Sequence, residues 1–120
     1  MVQILDGKLL ASLSEENFKK RVEPLAEGIG SKLIFDVDVT DKSSVDRCFD
    51  HLTKEWGSLD FVVHALAFSD KSELSGRFIN TSRQNFLNSL DISCFSLIDV
   101  SKRCSALMKQ GGAILTLSYL

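Results

Sequence analysis

The chain has 120 residues, 44 % of them hydrophobic and 25 % charged, and a formal net charge of −2. That length suits one domain with a modest core, and acids and bases mixed without blocks argue against a nucleic-acid surface or a polybasic membrane contact. Three widely spaced cysteines, Cys48, Cys94 and Cys104, form no Cys-x-x-Cys pair, so reduced thiols in a cytoplasmic protein are expected rather than a disulfide framework or structural zinc.

Met1-Val2-Gln3-Ile4-Leu5-Asp6 lacks the basic start and apolar stretch of a secretory signal. The longest apolar run, Phe61 to Phe68, is interrupted by His64 and is too short to cross a bilayer. Lys8 to Leu13 reads as a strand ending in the polar turn Ser14-Glu15-Glu16. A helix follows from about Glu15 to Glu27, with Phe18, Val22, Leu25 and Ala26 on one face. Ser12 with Glu15, or Ser14, can cap it; Pro24 should kink or shorten it, and Gly28 and Gly30 are its terminators.

Leu33 to Val39 (LIFDVDV) reads as a second strand, with Thr40 or Asp41 as cap of the next helix. That helix places Val45, Cys48, Phe49, Leu52 and Trp56 on a 3.6-residue stripe, and Gly57 closes it. Leu59 to Ala65 (LDFVVHA) is apolar almost throughout, as a parallel strand covered on both faces should be. After a polar loop from Ser69 to about Asn80, a long helix is expected from about Arg83 to Met108. Its apolar residues, Phe86, Leu90, Ile92, Phe95, Leu97, Ile98, Val100 and Leu107, cover more than one face and ask for neighbours on two sides. Gly111-Gly112 ends it, and Ala113 to Leu117 (AILTL) gives a last strand. Strands alternating with helices define an α/β fold with a parallel sheet, here taken as a single unit over residues 1–120.

Specific residues then resemble a known family. Lys19-Lys20-Arg21-Val22-Glu23-Pro24-Leu25-Ala26, Asp36-Val37-Asp38-Val39-Thr40-Asp41, Trp56-Gly57-Ser58-Leu59-Asp60-Phe61-Val62-Val63-His64-Ala65-Leu66-Ala67-Phe68, Asp91-Ile92-Ser93 and Thr116-Leu117-Ser118-Tyr119-Leu120 stand in the order and spacing of the bacterial NADH-dependent enoyl-acyl-carrier-protein reductases. These are members of the short-chain dehydrogenase/reductase superfamily. The resemblance runs from about Lys8 to Leu120 and implies a Rossmann-like, doubly wound parallel sheet, present here only in part. The family's first strand, with its glycine-rich phosphate turn, has no counterpart in this sequence; Met1 to Gly7 looks like the tail of the helix that follows it. In the order 3-2-1-4-5-6 that strand is central. Losing it would cost an amount comparable to a domain's whole margin of about 5–15 kcal/mol, so the chain by itself is expected to be poorly stable unless the family's second and fourth strands pair directly.

What the resemblance implies for chemistry falls on seven residues. Asp38 and Val39, at a strand's carboxyl end, would contact the adenine of NADH, with Asp38 accepting from its amine. Ala65, Leu66 and Ala67 would form the turn that approaches ribose and pyrophosphate, and Ser69 would lie near the acyl substrate. Tyr119 matches the first of two active-site tyrosines; the second, and a lysine, lie beyond Leu120 in the family. The family's reaction passes hydride from NADH to the β-carbon of a trans-2-enoyl thioester carried by acyl-carrier protein, with a hydroxyl donor stabilising the enolate. Intact relatives assemble as homotetramers through helices of the region of Arg83 to Met108.

Read without the resemblance, each residue has a plainer role. Asp36, Asp38 and Asp41 are strand-end and cap residues, Ala65 to Ala67 ordinary packing, Ser69 a solvated loop serine and Tyr119 a packed aromatic. Ser14 stands where NAD-binding folds commonly place an acid for the adenosine ribose, and no contact is assigned to it. Cys48 and His51 lie three apart on a helix, but Cys48 is on the apolar stripe, so no metal site is expected. His64 is a strand-end histidine. Two other functions stay open: a non-catalytic remnant that binds a partner subunit through the long helix, and a short-chain reductase of another substrate.

Overall fold

The computed structural model describes residues 2–3, 16–31 and 33–118. The elements in order are β1 (Val2–Gln3), α1 (Glu16–Gly28), α2 (Lys42–Glu55) and β2 (Phe61–His64). Two short 3-10 turns follow, Lys71–Glu73 and Phe78–Asn80. Then come α3 (Arg83–Leu90), a π-helical turn (Asp91–Phe95), α4 (Ser96–Leu107) and β3 (Ala113–Thr116). The expected strand Lys8 to Leu13, the caps Ser12 and Ser14, and Tyr119 lie outside the described residues.

Helix α1 buries Val22 and Ala26 and continues past Pro24 to Gly28. The expected shortening at Pro24 does not occur. Pro24 is exposed, so water can reach the carbonyl that its missing N–H leaves open. The helix closes where Gly30 takes a positive φ of 72° and Ser31 N–H donates to the Ala26 carbonyl at 2.8 Å, a glycine-dependent stop.

Residues 33–38 are extended but pair in no ladder with another described segment, so the expected strand Leu33 to Val39 stands as an extended run without a described partner. Its side chains alternate even so: Val37 is buried, and Phe35 and Val39 pack on the same core, with period two. A strand needs a neighbour's N–H and C=O groups, and residue pattern alone supplies none.

Asp41 caps α2: its carboxylate accepts from Ser43 N–H at 2.8 Å. The predicted stripe faces inward, with Val45, Cys48 and Leu52 buried and Phe49 and Trp56 packed beside them. Together with Val37, Leu59, Val62, Val100, Cys104 and Leu107 they make one core between α2, α4 and β2. Burial pushes the Cys48 and Cys104 thiols up to about 12. At the rim, Arg103 of α4 donates to Asp99 at 2.9 Å and to Asp46 of α2, which ties the two helices. The indole N–H of Trp56, the chain's only tryptophan, is buried with no partner among the described residues.

The sheet runs β1-β2-β3. Strands β2 and β3 are parallel, with Phe61 beside Ala113 and His64 beside Thr116, so their carboxyl ends are level. Strand β1 lies on the other side of β2 and is antiparallel, Val2 opposite His64. The sheet is therefore mixed, and Val2–Gln3 is a short strand instead of a helix tail. An edge of β2 rich in unpaired backbone groups accepts a strand of either direction, because antiparallel pairing needs no crossover.

Residues 83–107 form one long helical run, as the sequence predicts, but with an extra residue inserted at the π turn. There Ser96 N–H reaches back five residues to the Asp91 carbonyl. The inward positions before and just after this turn are polar: Asn85 and Ser96 are buried, whereas Phe86, Leu87, Leu90, Phe95 and Ile98 are each 46–63 % exposed. The apolar residues on the second face of this helix point to solvent.

Candidate functional site

Six of the seven candidate residues fall in two stretches that leave the carboxyl end of an extended segment. The first is Asp38-Val39. The backbone N–H of Asp38 donates to Ser44 Oγ at 3.0 Å, which fixes the bend into α2. Its carboxylate Oδ1 accepts from both the N–H and the hydroxyl of Thr40, at 2.9 and 2.7 Å, an Asx turn. Asp38 is exposed. Both bonds from Thr40 fall on Oδ1, so Oδ2 is the oxygen available to an amine donor. Val39 is half-buried and packs on the core.

The second stretch is the turn after β2. Ala65 and Leu66 are half-buried, Ala67 and Phe68 exposed, and Ser69 half-buried. Leu66 and Val39 pack on the same core cluster, so the two stretches are anchored to one apolar surface. The turn itself is held by polar side chains of the long helix. Ser93 Oγ accepts from Phe68 N–H at 3.0 Å and donates to the Phe68 carbonyl at 3.4 Å. Asn85 Nδ2 donates to Ser69 Oγ at 3.3 Å, and its Oδ1 accepts from Asp70 N–H at 2.8 Å. The same amide reaches Glu73 Oε2 at 3.2 Å, which also accepts from Ser82 N–H at 2.8 Å. That hydrogen bonding, with the Ser82 partner foremost, holds the Glu73 carboxyl below its ordinary value.

Tyr119 lies outside the described residues. The chain leading to it does not: Leu117 N–H donates to the His64 carbonyl at 3.3 Å, so β3 delivers its carboxyl end beside the start of the Ala65–Ala67 turn. His64 itself, read from sequence only as a strand-end residue, is 1 % exposed. Its Nε2 is 2.8 Å from Ser96 Oγ and its Nδ1 is 3.4 Å from Thr116 Oγ1. Burial pushes its pKa below the usual histidine value. Asn85, Ser93 and Ser96 were missed because serine and asparagine inside a helix carry no apolar signal. Their spacing, at positions 85, 89, 93 and 96 with Ser89, does trace one helical face.

For a dinucleotide, the fit is uneven along its length. An exposed carboxylate oxygen at Asp38 and two methyl-sized side chains at Ala65 and Ala67 suit the adenine, the ribose and a close backbone approach. The positive-φ glycines among the described residues, Gly30, Gly57, Gly76 and Gly111, flank neither stretch, so no described glycine turn cradles a pyrophosphate. An open recess lies on the outer face of the long helix instead, lined by Leu87, Leu90, Cys94, Phe95 and Ile98; it is apart from the candidate residues. No cluster of three or more metal-ligating side chains occurs among the described residues.

A family model described as Enoyl-(Acyl carrier protein) reductase matches residues 8–120. The chain belongs to that family. The enoyl-(acyl-carrier-protein) reductase (NADH) FabI of Rickettsia felis is 47 % identical over 113 residues, covering 94 % of this chain and 44 % of the relative. The enoyl-(acyl-carrier-protein) reductase (NADH) 1 of Rhizobium meliloti is 52 % identical over 101 residues, covering 84 % and 37 %. Among solved structures, the Anaplasma phagocytophilum reductase in complex with NAD superposes with a TM-score of 0.84 at 54 % identity, over 93 % of this chain and 43 % of that one. The Aquifex aeolicus enzyme gives 0.85 at 37 % identity. The chain thus shares the Rossmann-like fold of these reductases over rather less than half of their length. No helix among the described residues is long and apolar enough to cross a membrane.

Proposed function

We propose that this chain forms the adenosine-binding and turn-forming portion of an NADH-dependent enoyl-acyl-carrier-protein reductase of fatty-acid synthesis, acting in the cytoplasm as a single partial dinucleotide-binding unit. The observation that carries the reading is the arrangement of Asp38-Val39 and Ala65–Ala67 on one core, within a chain that belongs to the reductase family over residues 8–120. In open α/β sheets ligands bind beyond the carboxyl ends of strands; the Ala65–Ala67 turn leaves such an end, and Asp38-Val39 leaves the carboxyl end of the extended run 33–38.

The roles follow from position and chemistry. Asp38 Oδ2 accepts from the adenine amine, while Val39 supplies an apolar wall. Ala65 and Ala67 let the backbone approach ribose and pyrophosphate, and Ser69 borders the acyl chain. NADH, when bound, supplies the hydride. Tyr119 provides a hydroxyl where negative charge gathers on the thioester oxygen of an enoyl chain delivered by acyl-carrier protein. The exposed apolar stripe Phe86, Leu87, Leu90, Phe95 and Ile98 favours burial against other subunits, as a homotetramer or, in a second reading, as a non-catalytic partner surface.

Titration of the 15N-labelled 120-residue chain with NADH tests the reading. Shifts are expected at Asp38, Val39 and Ala65 to Ala67, with affinity weaker than micromolar because no described glycine turn holds the pyrophosphate. Shifts confined to other residues, or none at all, would sink it. Without a described pyrophosphate cradle, no enoyl-thioester-dependent NADH oxidation is expected from these 120 residues alone. Turnover abolished by Tyr119→Phe would show that expectation wrong.

A further inference from the structure

The turn after β2 is fastened at both of its ends to the π-helical turn. At its start, buried His64 meets buried Ser96 at 2.8 Å. At its end, Phe68 is bonded through both N–H and carbonyl to Ser93. Ser93 and Ser96 are three residues apart, the first inside the π turn and the second just after it.

The proton directions are assigned by counting donors and acceptors. Ser96 has one hydroxyl hydrogen, and it goes to the Ile92 carbonyl at 2.6 Å. Ser96 Oγ can therefore only accept from His64, so Nε2 carries the ring proton. In the neutral ring Nδ1 is then an acceptor, and the Thr116 hydroxyl donates to it across 3.4 Å. The run Thr116 to His64 to Ser96 to Ile92 ties β3, β2 and the π turn into one polar line. Ser93 lies inside the π turn and Ser96 directly after it, and their hydroxyls meet the two ends of the five-residue stretch from His64 to Phe68. Single-turn π insertions commonly sit at functional sites.

We propose that Ser93 and the His64–Ser96 pair are positioning residues that hold the Ala65–Ala67 turn in the shape that receives the cofactor, with the π turn as their common template. This rests on the assignment of that turn to NADH, and the experiment separates the two. In the 15N-labelled 120-residue chain, Ser93→Ala should raise hydrogen exchange at the Phe68 amide by about fivefold, the worth of one hydrogen bond, while α2 amides such as Leu52 keep their protection. Ser96→Ala should remove the protonated-Nε2 signature of His64 from the imidazole nitrogen spectrum, and Ser96→Thr, which keeps a hydroxyl, should restore it. In both alanine variants NADH should shift Ala65 to Ala67 less than in the parent chain.

Unchanged exchange at Phe68 in Ser93→Ala overturns the proposal, as does a His64 ring protonated on Nδ1. Loss of protection spread evenly over α2 also overturns it, because the serines would then support the fold at large. If exchange and imidazole signals respond as stated but NADH moves no turn residue in the parent chain, the cofactor assignment fails and the fastening of the turn stands.

Discussion

The α2–β2–α4 half of the molecule and the stretch from Ala65 to Phe95 are built on opposite principles. In the first, Val45, Leu52, Val62, Val100 and Cys104 are almost wholly buried, and stability comes from apolar area withdrawn from water. In the second, Asn85 is the only buried residue. Several of its large apolar side chains, Leu74, Phe78, Ile79 and Phe95, are more than half exposed, and its shape comes from serine, asparagine, aspartate and glutamate bonded to backbone. Packing is non-directional and tolerant; hydrogen bonds specify angles but contribute only about 1 kcal/mol each. The candidate site lies along the seam, with Val39 and Leu66 resting on the packed side and Ser69 on the bonded side.

The largest effect should come from the packed half. Leu52 is 0 % exposed, and Leu52→Ala should cost about 2–5 kcal/mol, read as a lower urea midpoint; a loss under about 1 kcal/mol would mean the core is not the main support. Asn85→Ala should cost less, about 1–3 kcal/mol for the groups left unpaired. Its mark should be local: faster proteolysis between Ser69 and Ser82 with the α2 core intact. If global unfolding shifts as much as for Leu52→Ala, the contrast between the halves collapses.

Acid should give the smallest effect. His64 titrates below the usual histidine value when folded, because it is buried. The unfolded chain then binds the extra proton first, so His64's contribution is present above about pH 6.5 and is lost as pH falls through the lower folded value. Stability measured from pH 7.5 to 5 should fall, and His64→Gln should flatten that slope. An equal slope in the variant would assign it to other groups.

Much of the packed half was legible from residue order. The stripe from Val45 to Trp56, the Asp41 cap and the apolar run at β2 are local patterns whose burial follows from periodicity. Residues 33–38 show the limit. LIFDVDV has the composition of a strand, but a ladder depends on a partner strand elsewhere, and none is described. The antiparallel entry of Val2–Gln3 beside β2 carries no signal in a two-residue sequence. The π insertion was hidden for a different reason. Apolar residues on more than one face of the long helix mark a surface, whereas the roles of Ser93 and Ser96 appear only when the Phe68 backbone and the His64 ring are beside them. Within the candidate site, Asp38 and the turn alanines were found by family resemblance, and the polar supports by geometry.

Trp56 gives these two halves different visibility in the spectrometer. The lone indole packs on the α2–α4 core with its N–H unsolvated, so its emission colour and lifetime follow the opening of that core. Nothing fluorescent of comparable brightness belongs to the stretch from Ala65 to Phe95. Fraying of the turn would therefore pass unseen in tryptophan emission, and the gap between an optical melting curve and an amide-exchange profile would itself measure how independently the turn lets go.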